Sequence, residues 1–293
     1  MDPVESLARV LGVPTSAVER LAILEGGYAN HSYRLRCGEE EYVLRLPASS
    51  EELPGADREA ERLALLAVQP HGLSPELVFS DPGSGLLVTR YLSGRRWTHA
   101  DFGNEDALRR LGQRLVELHA IEPPTSLRRL DLGRHITELE KRAQRLPDAL
   151  RQGARAMLDR FAPRATTLCH NDIHAGNVIE HDGIRLLDWE YAAVGDPMFD
   201  LAGPICCERI DARAQAYLIG GYREGGGRAD LMRLAAAVWL YDYVMCLWEL
   251  ATVPASDSIE PPVAAMRQPV SSRIAELEGV LHSLDKPMIE RHF

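Results

Sequence analysis

Lysine is almost absent from this 293-residue chain. Of its 33 lysine and arginine residues only Lys141 and Lys286 are lysine, so the other 31 are arginine. Any mechanism that needs a lysine must use one of these two or do without. Arginine keeps its charge under burial and offers a planar fork of donors to phosphate, so it can take the place of a phosphate-binding lysine.

The chain also lacks an excess of positive charge and any paired cysteine motif. Its formal net charge is −10 and its isoelectric point is near 5.5. This balance repels phosphate backbones, which argues against nucleic acid as a partner. The five cysteines include no Cys-x-x-Cys pair and no grouping with histidine at zinc-ligand spacing. They are therefore predicted to be reduced thiols in the cytoplasm.

The sequence pattern also predicts neither a signal peptide nor a membrane-spanning segment. The segment from Met1 to Glu5 has neither the basic nor the apolar region of a signal peptide, and no apolar run approaches the length of a bilayer span. We expect a cytoplasmic protein without membrane insertion. With 45% apolar and 26% charged residues, the chain can form a large core and is not disordered.

The first part of the chain has the pattern of a small β-rich lobe. Residues 1–22 show a roughly helical apolar spacing and predict a helical prelude. The elements predicted after it are strands at 33–36 and 42–46, a helix over 57–68 with Asp57 as its cap, and a strand pair at 77–79 and 86–91. We therefore expect a first domain over residues 1–91.

Helical periodicity dominates after the polar stretch 92–96. The predicted helices cover Leu108 to Leu118, 135–161, 211–223 and 229–252. A short β-rich island interrupts them, with strands at 167–169, 178–179 and 184–187. We expect a second, larger and mostly helical domain over residues 92–293.

The densest cluster of reactive side chains lies in that island. It consists of the segment from His170 to Asn177, followed by Asp188 and Glu190. Phosphoryl transfer needs a carboxylate to orient the attacking hydroxyl and oxygen ligands to hold Mg²⁺ against a triphosphate. Asp172 can do the first, and Asn177 and Asp188 can do the second. An isolated Asp-x4-Asn is most often a turn, but the joint pattern predicts a kinase site.

Residues 169–179 and 187–202 resemble the choline/ethanolamine kinase branch of the aminoglycoside phosphotransferase superfamily. The resemblance extends from about residue 23 to residue 250. It implies an α+β, protein-kinase-like fold of two lobes, a small β-rich lobe with one main helix and a larger, mostly helical lobe, with ATP between them. It also implies that Asp172 is the catalytic base and that Asn177 and Asp188 bind one or two Mg²⁺ ions, with ATP as co-substrate. In this family the segment around Asp196 and Asp200 supports the site.

The first lobe contains candidate ATP-binding residues. Gly26 and Gly27 let backbone N–H groups approach phosphate oxygens, and Asn30 and Ser32 add side-chain donors. This stretch resembles the family's Gly-Gly-x-x-Asn loop. A Gly-Gly turn alone is a hairpin more often than a phosphate loop, so the prediction depends on the motifs in the second lobe.

The phosphate-pairing cation is expected on the next strand, where Arg45 lies. Choline-kinase-like proteins often have arginine at this position, where protein kinases have lysine. The expected helix partner of Arg45 is Glu59, with Glu61 as the alternative. Arg90 and Tyr91 end the last strand of the lobe and are expected to meet adenine through backbone groups.

Candidate acceptor-binding residues are His174, Glu190 and Asp196, and the aromatic residues Trp239, Tyr243 and Trp248. Aromatic rings with carboxylates suit a quaternary ammonium group through cation–π attraction. Aromatic residues at helical spacing are also common in cores, and His174 can equally be a solvated loop residue. The family often has two tryptophans three residues apart here, and this chain has methionine at the first position, 245.

The predicted function is ATP-dependent phosphorylation of a small, cationic alcohol, with choline or ethanolamine favoured. A thiamine, aminoglycoside or sugar kinase and a nucleotide-binding pseudokinase are the alternatives. No Ala-Pro-Glu segment follows Asp188, which disfavours a protein kinase. The sequence leaves open the oligomeric state and the role of residues 254–269, either a loop over the site or a connection to a last helix.

Overall fold

A five-stranded antiparallel sheet forms the N-terminal part of the protein. The computed structural model describes residues 2–24, 30–47, 53–143, 146–252 and 268–285. The sheet has the order β1-β2-β3-β5-β4 and consists of β1 (Val18–Leu24), β2 (Asn30–Cys37), β3 (Glu40–Pro47), β4 (Leu77–Asp81) and β5 (Leu86–Arg90). Gly26, Gly27 and most of the stretch 254–269 lie outside the described residues.

The predicted helical prelude over residues 1–22 is only half right. Helix α1 (Pro3–Leu11) begins at the cap Asp2 and ends at Gly12, whose φ of 68° suits glycine. The following residues then form β1, which pairs with β2 from Val18 to Leu24. β1 was missed because only Val18 of its seven residues is buried, so the strand has no clear alternation of apolar and polar residues.

Two helices pack on this sheet: α1 contacts β1, β2 and β3, and a second helix, the one predicted over 57–68, contacts β4. Helix α2 (Arg58–Val68) is capped by the Asp57 carboxylate, which accepts a hydrogen bond of 2.9 Å from the Ala60 N–H. Its buried residues are Ala60, Glu61, Ala64, Leu65 and Val68. The buried face of α2 therefore includes one glutamate, Glu61.

The rest of the described chain is mostly helical, in agreement with the predicted α+β class. Its helices are α3 (Glu105–His119), α4 (Leu132–Arg142), α5 (Asp148–Phe161), α6 (Pro197–Cys207), α7 (Ala212–Glu224), α8 (Leu231–Thr252) and α9 (Val270–Asp285). The helix predicted over 135–161 is two helices, and α6 was not predicted. The domain boundary after residue 91 stays a prediction.

Short strands connect these helices. They are β6 (Arg95–Arg96), β7 (Thr167–Cys169), β8 (Val178–Glu180), β9 (Ile184–Leu186) and β10 (Ala193–Gly195). β7 pairs with β10, and β8 lies between β6 and β9. The predicted island over 167–187 is confirmed. Its loops carry the cluster of reactive side chains.

Helix α8 corrects the expectation that no apolar run approaches the length of a bilayer span. By length and composition, its 22 residues are enough to cross a membrane, and 61% of its most apolar window is buried inside the protein. It contacts α4, α5, α6 and α9. Burial on several sides explains why this helix is apolar around its circumference.

Two glycines allow α3 and α7 to approach closely. A Cβ atom at Gly221 would lie 2.1 Å from the Arg109 carbonyl oxygen, and one at Gly112 would lie 2.3 Å from the Leu218 carbonyl oxygen. Both contacts are with backbone atoms, which cannot rotate away as a side chain can. The interface between these helices therefore requires glycine at both positions.

Substitution of Gly221 should separate α3 from α7. We expect Gly221→Ala to lower the free energy of unfolding by about 2 kcal/mol, since overpacking displaces backbone. The matched control is Gly279→Ala in α9, where no atom lies within 4 Å of the added Cβ. The control should raise stability by roughly 0.5 kcal/mol through helix propensity. Equal effects in urea denaturation would contradict this packing account.

Candidate active site

The loop between β7 and β8 is organised around the buried ring of His170. Its Nε2 lies 2.9 Å from the Leu187 carbonyl oxygen, and its Nδ1 accepts a hydrogen bond of 3.2 Å from the Asp172 N–H. The ring also packs on Trp189, with 4.5 Å between ring centroids. His170 therefore holds the loop against the segment that follows β9.

A buried carboxylate on α6 supports the same loop from below. Asp200 accepts hydrogen bonds from the backbone N–H groups of His170, at 2.9 Å, and Asn171, at 2.5 Å. The Nε2 of His119 lies 3.1 Å from the Asp200 Oδ2, the oxygen that also accepts from the His170 N–H. Asp200 was not among the individual site candidates. The Asp-x-x-x-Asp spacing before an apolar helix was the available signal for it.

Asp172 and Asn177 are in direct contact. The Asn177 Nδ2 donates to the Asp172 carbonyl oxygen and to its Oδ2, both at 2.9 Å, which leaves the Asn177 Oδ1 as an acceptor. The Asp172 side chain is 29% exposed, so a ligand can reach it. Burial raises the pKa of the Asp172 carboxyl, but His174 and Asn177 outweigh this effect and hold the pKa below its usual value. The group is therefore ionised at neutral pH.

His174 is buried and faces Asp172, so the alternative of a solvated loop histidine is wrong. Its Nδ1 accepts a hydrogen bond of 3.1 Å from the Gly176 N–H, and its Nε2 lies 3.7 Å from the Asp172 Oδ2. Burial lowers the pKa of His174, but the carboxylates of Asp172 and Glu208 raise it above its usual value overall. Whether His174 also contacts an acceptor stays a prediction.

Asp188 follows β9 with a φ of 59°, a left-handed conformation that is uncommon for a residue other than glycine. Its side chain is 38% exposed, and its Oδ1 accepts a hydrogen bond of 3.1 Å from the Arg45 Nη1. Arg45 lowers the pKa of Asp188, but burial and the charges of Glu61 and Asp172 outweigh this effect and raise the pKa above its usual value. Asp188 thus lies beside both Arg45 and the loop of Asp172.

The helix partner of Arg45 is Glu61, so the expected pairing with Glu59 is wrong. The Arg45 Nη1 donates to the Glu61 Oε1 at 2.7 Å, and its Nη2 donates to the other carboxylate oxygen. Glu59 instead pairs with Arg62, and its side chain is 52% exposed. The two glutamates lie on different faces of α2, and only the Glu61 side chain points toward β3.

Arg45 is buried, and the Nε of its guanidinium has no hydrogen-bond partner among the described residues. Burial lowers the pKa of Arg45, but Glu61 and Asp188 more than compensate, so the pKa lies above its usual value. The Arg45 Nε is buried with no hydrogen-bond partner in the described structure. Ser32 lies directly opposite Arg45 in the β2–β3 ladder, so the two side chains share one face of the sheet.

The remaining first-lobe candidates have protein partners. Asn30 accepts a hydrogen bond of 2.8 Å from the Arg58 Nη2. The N–H groups of Arg90 and Tyr91 donate to carbonyl oxygens of Glu76 and Glu41, both at 2.9 Å. The predicted adenine contact therefore cannot use these two N–H groups.

Of the acidic acceptor-binding candidates, Glu190 lies near the site and Asp196 does not. Glu190 accepts a hydrogen bond of 2.8 Å from the Arg58 Nη1, and burial followed by the charge of Asp188 raises its pKa to about 8. Asp196 is 3% exposed, caps α6 and pairs with Arg233. Its carboxylate is occupied by these structural contacts, and its role in acceptor binding stays a prediction that they do not support.

Of the three aromatic candidates, only Trp248 lies beside the loop between β7 and β8. Trp239 and Tyr243 stack on each other at 5.3 Å and are 4% and 0% exposed. Both therefore pack in the core, and their role in acceptor binding stays a prediction that this burial does not support. Trp248 is half-buried, and its Nε1 donates to the Tyr191 hydroxyl at 3.1 Å. The Tyr191 carbonyl oxygen in turn accepts from the side chain of Asn171, next to Asp172.

Comparisons with known proteins identify a family for this chain. A sequence model of the phosphotransferase enzyme family matches residues 20–238. Protein LicA of Haemophilus influenzae is 26% identical over 209 residues, or 67% of this chain. The match spans 61% of the length of that relative.

Solved structures are similar over almost the whole chain. A choline/ethanolamine kinase family protein from Mesorhizobium loti has a TM-score of 0.71 at 23% identity, covering 98% of this chain and 96% of its own. The choline kinase LicA from Streptococcus pneumoniae has a TM-score of 0.77 at 19% identity, with coverages of 94% and 97%. These likenesses confirm the predicted protein-kinase-like fold.

The pairing of Arg45 with Glu61 predicts unequal effects of removing the two glutamates of α2. Glu61→Gln should lower the free energy of unfolding by about 3 kcal/mol, because it leaves a buried guanidinium without its main partner. Glu59→Gln, the matched control, should change stability by less than about 0.5 kcal/mol. Urea denaturation at pH 7 measures both, and equal losses would contradict the assignment.

Proposed function

The chain belongs to the phosphotransferase enzyme family, and from this we propose that it transfers the γ-phosphate of ATP to the hydroxyl of a small cationic molecule. A choline- or ethanolamine-like amino alcohol is the favoured acceptor. The observation that carries the proposal is a pair of contact groups, one that joins Asn177 to Asp172 and one that joins Arg45 to both Glu61 and Asp188. These are the groups that phosphoryl transfer needs, and they are held by backbone and buried side chains.

Arg45 is proposed to bind the phosphates of ATP. Its guanidinium is oriented by Glu61, and its Nε retains a donor that no group in the described structure uses. A buried donor without a partner is unfavourable unless a ligand accepts from it. Ser32, on the same face of the sheet, offers a hydroxyl next to it. Both features support an anionic ligand at this end of β3.

Asn177 and Asp188 are proposed to hold Mg²⁺, as one or two ions. The donors fit this ion, since Asn177 has its amide oxygen left over and Asp188 offers a partly exposed carboxylate. Mg²⁺ prefers such oxygen ligands and is usually bound by one or two protein groups together with phosphates. The ion, when bound, neutralises charge on the triphosphate. Arg45 can neutralise Asp188 when no ion is present.

Asp172 is proposed to orient and deprotonate the acceptor. Its low pKa keeps it ionised, and Asn177 fixes its Oδ2. The acceptor hydroxyl donates a hydrogen bond to this carboxylate, which directs the oxygen lone pair at the γ-phosphorus. As the new P–O bond forms, the bond to the β-phosphate oxygen breaks. The proton moves to Asp172, and ADP leaves.

Trp248 supports a cationic acceptor. It is the half-buried aromatic residue that contacts Tyr191 beside the loop. Glu190, two residues after Asp188, is bonded to Arg58 and has a pKa raised to about 8, so it adds little negative charge for a cation at neutral pH. Met245 is buried against the Cys207 sulfur, so it adds no ring at the position where the family often has tryptophan. A site with fewer rings favours a small amino alcohol, with thiamine, aminoglycosides and sugars as the alternatives within the family.

Replacement of Asp172 tests the proposed chemistry. We expect Asp172→Asn to lower kcat by at least about 100-fold, the usual effect of losing a general base, with the KM for MgATP changed little. The control is Asp182→Asn in an exposed turn, which should retain full activity. Magnesium-dependent ADP release measures both variants. Full turnover by the Asp172 variant would remove it as the base.

A panel of acceptors tests the substrate class. Choline and ethanolamine should give the highest kcat/KM among amino alcohols, thiamine, aminoglycosides and sugars. Trp248→Leu should raise the KM for choline by about tenfold, within the range for a desolvated cation–π contact, and leave the KM for MgATP unchanged. Tight ATP binding by the wild-type protein without turnover of any acceptor would instead favour a binding module.

A further inference from the structure

Arg128 joins two parts of the chain that are distant in sequence. Its backbone runs beside β10, because the Val194 N–H donates to the Arg128 carbonyl oxygen at 2.8 Å and the Leu130 N–H donates to the Val194 carbonyl oxygen at 2.9 Å. β10 pairs with β7, the strand that leads into the catalytic loop. The backbone of Arg128 is therefore fixed to the rigid part of the site.

The side chain of Arg128 reaches from there to the loop before α2. Its Nη1 donates to the Gly55 carbonyl oxygen at 2.6 Å, and its Nε donates to the Ala192 carbonyl oxygen at 3.1 Å. It forms no salt bridge within the described ranges, and burial lowers its pKa. A half-buried guanidinium that bonds only to carbonyl oxygens is unfavourable, because no anion balances its charge. Its two hydrogen bonds nevertheless connect the Gly55 loop to the segment that contains Ala192.

Gly55 is shaped for this contact. Its φ is +87°, and a Cβ atom at this position would lie 2.7 Å from the Cε1 of His135 on α4. Residue 55 therefore favours glycine for two reasons, its left-handed backbone conformation and its closeness to the His135 ring. Two residues later, the Asp57 N–H donates to the Glu190 carbonyl oxygen at 2.9 Å, immediately before α2 begins.

We propose that Arg128 is a positioning residue that holds the start of α2 against the segment following Asp188 and thereby keeps Glu61 within reach of Arg45. Glu61 lies one helical turn after Asp57, so a shift at the start of α2 moves its carboxylate by a similar distance. Hydrogen bonds near 2.7 Å do not survive a shift of that kind. Arg58, bonded to Glu190 and Asn30, adds a second contact across the same junction.

The consequence is a phosphate-binding pair that is assembled before any ligand arrives. α2 is anchored through Gly55 and Asp57 to residues that also support the catalytic loop. This inference rests on the proposed function for the role of Arg45 toward ATP. The anchoring of α2 itself does not, and it can be measured without turnover.

Arg128→Met removes both hydrogen bonds and keeps an apolar side chain. We expect amide hydrogen exchange in α2 to accelerate about tenfold relative to α3, the factor for losing one charge-assisted hydrogen bond. The KM for MgATP should rise by a similar factor, with the KM for the acceptor changed less than about twofold. Arg129→Met is the matched control, because that side chain is exposed and bonds to the Ala165 carbonyl oxygen instead.

Gly55→Ala keeps the test decisive if the Arg128 variant fails to fold. It should displace the loop from His135 and reproduce the faster exchange of α2. Gly38→Ala is its control, since residue 38 also has a positive φ, of +63°, but no atom lies within 4 Å of an added Cβ. Faster exchange confined to α2 supports the anchoring even if no acceptor is turned over, an outcome that would count against the proposed function alone. Unchanged exchange in α2, or equal increases in both KM values, would overturn the inference.

Discussion

A buried guanidinium requires anions around it, and the side chain of Arg45 has them on two sides. Glu61 reaches it from α2, and Asp188 reaches it from the segment after β9. Burial of the Arg45 guanidinium or of the Glu61 carboxylate without its partner would be strongly unfavourable, so the packing of α2 against β3 depends on this contact. This ion cluster joins the N-terminal sheet to the helical remainder. The same cluster places Arg45, the proposed phosphate-binding cation, beside Asp188, the proposed magnesium ligand.

The loop between β7 and β8, which carries Asp172, depends on a second set of buried polar contacts. Asp200 accepts hydrogen bonds from the N–H groups of two loop residues, and both ring nitrogens of His170 form hydrogen bonds with backbone groups. Loops carry reactive side chains in many enzymes, but those side chains need a rigid support to keep one geometry. Here the support is α6, an almost fully buried helix, and the strand pair β7–β10. Asp172 is therefore presented by a loop with little freedom.

Much of the site could be predicted from the sequence because its chemistry is encoded locally. The spacing of Asp172, Asn177 and Asp188 places the three side chains near one another wherever two short strands pair. The partner of Arg45 could not be predicted, because Glu59 and Glu61 are equally acidic and only the orientation of α2 in the fold separates them. The aromatic acceptor-binding candidates on α8 could not be told apart from core residues for a related reason. α8 is buried on several sides, so periodicity does not distinguish Trp239 in the core from Trp248 near the loop.

We propose that Asp172 and the Arg45 cluster direct a phosphoryl group to an amino alcohol rather than to water. ³¹P NMR of the wild-type protein with MgATP and an equal mixture of choline and ethanolamine tests this most directly. The account predicts a new phosphomonoester resonance that grows in step with ADP, with little inorganic phosphate. ADP accompanied only by inorganic phosphate, or no ADP at all, would contradict it.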